Sequence, residues 1–140
     1  MIRYMLDTDT ASYLLKKRHP LHKAVLNNLT KREPESVSLS VMTLSEMAAG
    51  LAGMIDKERK SILAKLLEEF MASINIIEFN DEAAWLYGTL RAKLRESGQD
   101  IGVMDTLIAA HAISQNLILV TNNHSHFKRI TGLKCENWTV

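Results

Sequence analysis

Apolar residues recur along this chain in two rhythms, short blocks that read as strands and longer stripes at helical spacing. "IRYMLD" (2–7) opens as a short strand, and "TASYLLKKRH" follows as a helical segment with Asp9 or Thr10 as its expected N-cap. Leu26 and Leu29 extend that helical region until Pro34 breaks it. "SVSLS" (36–40) sets Val37 and Leu39 against serines, the period of a second strand. "TLSEMAAGLAG" then starts a helix that ends near Gly50 and Gly53. Over 56–73, Ile62, Leu63, Leu66, Leu67, Phe70 and Met71 fall on one helical face, with Lys57, Arg59, Lys60 and Lys65 largely elsewhere. "INIIEF" (74–79) reads as a third strand. The segment 81–97 reads as a helix with Ala83, Leu86, Tyr87, Leu90 and Leu94 inward and Gly98 just past its end. "GVMDTLIAAHA" (102–112) is apolar nearly all round, as a buried helix is. "LILVT" (117–121) is apolar enough for a strand buried on both faces. A short helix at "SHFKRI" and a last strand at "KCENW" close the pattern.

Strands alternating with helices predict a three-layer α/β fold with a mostly parallel sheet of four to five strands. A chain of 140 residues without repeat, low-complexity tract or linker is read as one domain over 1–140. Hydrophobic residues at 46% and charged residues at 24% are ordinary globular proportions. The single cysteine, Cys135, excludes an internal disulfide and any CxxC zinc pattern. No run reaches the roughly 18 apolar residues of a membrane helix, and the first residues lack a signal-peptide apolar core, so a cytoplasmic protein is expected. A net charge of +1 gives no global pull toward nucleic acid, so any such binding must use local patches.

The informative chemistry is acidic. In open parallel sheets, sites form beyond the carboxyl ends of strands. Asp7 closes the first strand, Asn122 and Asn123 follow the fourth, and Glu46 and Asp105 stand in first turns of helices. Four segments distant in sequence thus aim oxygen ligands at one rim. Carboxylates crowded together repel unless a cation joins them, and oxygen-only ligands suit Mg2+ or Mn2+. Such an ion serves phosphodiester hydrolysis. Each acid also has an ordinary structural reading. "TLSE" (43–46) fits a capping box with Thr43 as N-cap, and Asp105 is favoured by the helix dipole whatever its function. Asp7 has weaker structural reasons to close an apolar strand.

"MLDTDT", "TLSEMAAG", "IGVMDTLIAAHA", "LILVTNNHSHFKRI" and "GLKCENW" resemble, in order and spacing, the PIN-domain toxins of VapBC toxin–antitoxin modules. The resemblance runs from Met1 to about Trp138. It implies a PIN-like α/β/α sandwich and a Mg2+- or Mn2+-dependent endoribonuclease inhibited by a VapB-type antitoxin. Asp7, Glu46 and Asp105 match the catalytic, metal-holding acids, and Asn123 matches a position where many relatives carry a fourth acid. Thr8, Asp9, Arg91 and Asn122 are the candidate substrate contacts, and Asp9 stands where "DTN" is frequent. The "TNN" and "GLxxENW" forms are similar to members that cut initiator tRNA in its anticodon loop. A homodimer carrying antitoxins is also implied.

Local cations are needed to meet RNA phosphates. "KKRHPLHK" (16–23) is the densest cluster, with Arg91, Lys93 and Arg95 next. His124 and His126 read as solvated loop residues, since no Cys or further His completes a zinc site. His111 reads as a hydrogen-bonded core residue, and Trp85 and Trp138 as core or interface filler. Segment 56–73 with helix 43–53 is a candidate groove for an antitoxin helix. Two other readings compete: a haloacid-dehalogenase-type phosphatase with Asp7 as nucleophile in "DTDT", and a non-catalytic binding module.

Overall fold

A computed structural model describes residues 1–140. Five strands, β1 (Tyr4–Leu6), β2 (Val37–Ser40), β3 (Asn75–Ile77), β4 (Ile118–Val120) and β5 (Cys135–Glu136), form one sheet in the order β3-β2-β1-β4-β5. Every pairing is parallel, with Tyr4 opposite both Val37 and Ile118. Seven helices connect them: α1 (Thr8–Leu15), α2 (His22–Thr30), α3 (Val41–Ala52), α4 (Lys57–Ser73), α5 (Asp81–Glu96), α6 (Val103–Ser114) and α7 (His124–Phe127), with a 3-10 turn at Pro34–Ser36. None is long and apolar enough to cross a membrane.

The three layers follow from strand alternation. Successive side chains of a strand point to opposite faces, so Met5 and Leu119 pack under α5, α6 and α7 with Leu94, Ile108, Ala109 and Phe127. Tyr4, Leu6 and Val120 pack on the other face with Ala11 and Leu14 of α1, Val25 of α2 and Trp138. Both faces of β1 and β4 are therefore covered, which is why these strands are apolar throughout.

Several boundaries differ from the expectation. The helical stretch after β1 is two helices, because Pro20 lacks an N–H and restricts His19 before it. The N-cap of α1 is Asp7, not Asp9 or Thr10: its Oδ1 accepts the Thr10 N–H at 2.9 Å. Helix α3 begins directly after β2 with Ser40 as N-cap, its hydroxyl accepting the Met42 N–H at 3.0 Å. The capping box at 43–46 consequently does not form, and the buried Thr43 hydroxyl has no partner. On α4 only Leu67 is fully buried, while Ile62 and Met71 face solvent. Trp138 is in the core, but Trp85 is 82% exposed.

Candidate active site

The chain runs from β1 to β2 and β3 on one side of the sheet and continues as β4 and β5 on the other. The order therefore reverses between β1 and β4, and a crevice opens beyond their carboxyl ends. Asp7, the residue after β1, is tied there by its N–H donating to the Val120 carbonyl at 2.9 Å. A cavity of about 120 Å³ lies at this point, lined by Asp7, Thr8, Asp9, Glu46, Asp105, Asn123 and Phe127. Four carboxylates from three separate parts of the chain share its wall.

Three of these acids, Asp7, Glu46 and Asp105, are each held by a particular neighbour. Asp7 caps α1 and is only 6% exposed. Glu46, in the second turn of α3, accepts the Thr8 hydroxyl at 2.5 Å. Asp105 stands in the first turn of α6, where the helix N-terminus favours negative charge. Its Oδ2 lies 3.1 Å from His126 Nδ1. Asn123 precedes α7, and its N–H donates to Thr121 Oγ1 at 3.0 Å. Its Oδ1 accepts the Ser125 hydroxyl at 3.2 Å.

Burial, more than like charge, governs the electrostatics of Asp7. Burial pushes the Asp7 carboxyl above its ordinary value, hydrogen bonds from Thr121 and Thr10 oppose the shift, and the Asp9 charge adds to it. Burial and then the Asp7 charge push the Cys135 thiol up to about 11. That thiol is therefore protonated at neutral pH and no nucleophile.

The donor set is oxygen only, three acids expected from the sequence plus Asp9 and the Asn123 amide. No three carboxylate, imidazole or thiol groups converge into a ready-made ligand cluster. The expected meeting of Asp7, Glu46 and Asp105 around one ion is thus a shared cavity wall and not a closed cage. Oxygen donors of this kind suit a Mg2+-type ion, which keeps several of its waters and binds through one or two carboxylates. Like-charge repulsion across a small polar space is also what a divalent cation relieves.

The PIN domain family profile matches residues 4–133. The chain belongs to the PIN-domain family. It is 37% identical over 135 residues to ribonuclease VapC2 of Rickettsia felis, covering 96% of this chain and 97% of that one. It is 32% identical over 138 residues to the tRNA(fMet)-specific endonuclease VapC of Salmonella typhimurium, covering 99% of both. Among solved structures, VapBC2 from Rickettsia felis bound to a promoter DNA fragment superposes with a TM-score of 0.82 at 37% identity, covering 99% of both chains. The haloacid-dehalogenase reading of "DTDT" falls with this membership: in this PIN fold Asp9 is a first-turn residue of α1.

Other expected contacts lie off the cavity wall. Arg91 Nη1 stands 3.2 Å from Asp100 Oδ1, and the same oxygen accepts the Gly102 N–H at 2.9 Å. Gly102 precedes α6 at φ 96°, a conformation that favours glycine, and Asp100 holds the backbone that launches Asp105, with Arg91 beside it as a charge partner. The Asn122 amide reaches the Tyr13 hydroxyl at 3.4 Å. His126 is the correction: it is half-buried against Asp105, not solvated. No spacing rule links positions 105 and 126, so only the packing of α7 beside α6 reveals the pair.

Beside the acids, a groove of about 340 Å³ runs between α1, α3 and α4, lined by Leu15, Met47, Leu51, Met54, Leu63 and Leu67. Thr8, Glu46 and Lys16 also line it, so it opens onto the cavity. A second apolar groove of about 510 Å³ lies between α2 and α4, with Leu26, Leu29, Phe70 and Ile74 in its wall.

Proposed function

We propose that this chain is the toxin of a VapBC-type toxin–antitoxin module and a divalent-cation-dependent endoribonuclease acting in the cytoplasm. The observation that carries the reading is the gathering of Asp7, Glu46 and Asp105 on one small polar cavity at the switch point of a PIN fold. In this reading the three acids hold Mg2+ or Mn2+, with the Asn123 amide as a further contact. When bound, the cation polarises a phosphoryl oxygen and lowers the pKa of an attacking water. The family resemblance implies that hydrolysis would leave a 5′-phosphate and a 3′-hydroxyl. The chain's own part is preorganisation: the Thr10 N–H fixes Asp7, the Thr8 hydroxyl turns Glu46, and the start of α6 presents Asp105.

The proposed substrate is RNA, and within it initiator tRNA, supported by the relative named as a tRNA(fMet)-specific endonuclease. Lys16, Lys17, Arg18 and Lys23 lie between and at the ends of α1 and α2, and Tyr13 at their edge touches Asn122, beside the cavity residue Asn123. That arrangement supports a phosphate path leading to the acids. The proposed partner is a VapB-type antitoxin, which structural neighbours solved as VapBC complexes support. An apolar antitoxin helix in the groove of Met47, Leu51 and Leu67 would end beside Glu46 and block it. A homodimer through exposed helical faces, including that of Trp85, completes the assembly.

Purified wild type, Asp7→Asn and Asp105→Asn should be incubated with total tRNA in Mg2+, with an EDTA control. Wild type is expected to cut, EDTA to stop it, and each variant to lose at least about 100-fold in rate with unchanged circular dichroism. Full activity of both variants in Mg2+ would remove the reading. RNA binding without cleavage by wild type would favour a non-catalytic module.

A further inference from the structure

Asp105 has a carboxylate with two oxygens and must present one of them to the cavity. Its Oδ2 is engaged by His126 Nδ1 at 3.1 Å. An ionised carboxylate only accepts, so the ring N–H donates. His126 itself does not line the cavity, whereas Asp105 does. Its place is set from two sides. Its backbone N–H donates to the Asn123 carbonyl at 3.1 Å, and the next residue, Phe127, is 1% exposed in the core beneath α6. The imidazole therefore stands on a short, anchored helix and reaches across to the first turn of α6.

We infer that His126 is a positioning residue: it fixes the Asp105 carboxylate by one oxygen and leaves the other free for a cation. The inference rests on the proposal that Asp105 helps hold a divalent ion. Both side chains are about a third exposed, and partly exposed polar contacts of this kind contribute little to folding. The consequence of losing the contact should thus fall on cation affinity and not on stability. Hydrogen-bond partners of metal-holding carboxylates typically affect affinity by about 10- to 100-fold.

The test uses Mn2+ as the probe, titrated into purified full chain and followed by the electron paramagnetic resonance signal of the free ion. Three proteins are compared: wild type, His126→Leu and His126→Asn, whose amide nitrogen sits where ring Nδ1 stood. His126→Leu is expected to weaken Mn2+ binding by about 10- to 100-fold while melting at the wild-type temperature without metal. His126→Asn is expected to restore most of the affinity. Unchanged affinity in His126→Leu, or His126→Asn as weak as His126→Leu, would overturn the inference. Nitrogen modulation in the spin echo of wild-type-bound Mn2+, lost in His126→Leu, would put the ring on the ion and overturn it as well. A wild type that binds no Mn2+ would instead remove the cation reading on which the inference stands.

Discussion

Residue by residue, this molecule places its buried polar groups in a few positions, and among them His111 lies outside the acid cavity and has a consequence for stability against pH. It is fully buried in α6, with Nδ1 2.7 Å from the Ser40 hydroxyl and Nε2 3.0 Å from the Glu78 carbonyl. Ser40 is the N-cap of α3, so this ring links α6 to the helix that carries Glu46. Burial lowers its pKa below the ordinary 6.5, against the smaller opposing effect of the Glu78 bond. Below 6.5 the unfolded chain takes up a proton that the native chain refuses, so stability falls as pH drops through that value. Urea midpoints at pH 7.5 and 5.5 should show this loss. His111→Asn should be less stable at pH 7.5, by about 1–3 kcal/mol for the partners it leaves unpaired, and should lose less on acidification. An identical pH dependence in both proteins would contradict the assignment.

Among the elements, the one whose purpose the linear pattern hides most is the C-terminal segment after β4. β5 has only two residues, yet it holds the sheet edge through the Leu119 N–H to the Lys134 carbonyl at 2.8 Å and the Thr121 N–H to the Glu136 carbonyl at 2.9 Å. Beyond it, Trp138 packs edge-on to Tyr4 at 5.4 Å, and the Arg32 guanidinium lies 4.3 Å from the Trp138 ring centre. Arg32 also pairs with Glu136 at 3.1 Å, and the Trp138 ring N–H donates to the same carboxylate at 3.0 Å. The Asn28 amide donates to the Trp138 carbonyl at 3.0 Å. Chain end, α2 and the central strand are thereby clasped together. Trp138→Ala should cost about 3–5 kcal/mol, as removal of a fully buried aromatic does, read as a shift of the urea midpoint. A change within about 0.5 kcal/mol, the usual range for surface substitutions, would show that the clasp is ornamental.

Across the whole molecule, two kinds of surface stand out against the acid cavity. The grooves beside α4 are concave and apolar, whereas the Trp85 face of α5 projects a large ring, 82% exposed, into solvent. A tryptophan so exposed is costly to hydrate and is common at the centre of interfaces. Light scattering should give the mass of two chains for wild type and of one for Trp85→Arg, with the melting temperature little changed. A monomeric wild type would remove the proposed dimer, and a Trp85→Arg variant that stays dimeric would move its surface elsewhere.

The sequence by itself determined the alternation of strands and helices, the apolar strands that must be covered on both faces, and the places of Asp7 at a strand end and Asp105 at a helix start; Glu46, expected in a first turn, stands in the second because α3 begins directly after β2. These are legible because period and capping act over a few residues, and a strand that is apolar throughout leaves few places to go. The sequence did not determine which cap wins. Asp7 and Ser40 displaced Asp9 and Thr43 because each lies where its strand ends and its helix must begin, a junction set by sheet register. It did not place Trp85 outside, since an amphipathic stripe looks the same whether a neighbour covers it or not. Nor did it join His126 to Asp105, or Arg32 to Trp138. Those contacts are made between residues 21 and 106 positions apart by the packing of α7 beside α6 and of the chain end on α2, and no local rule spans such distances.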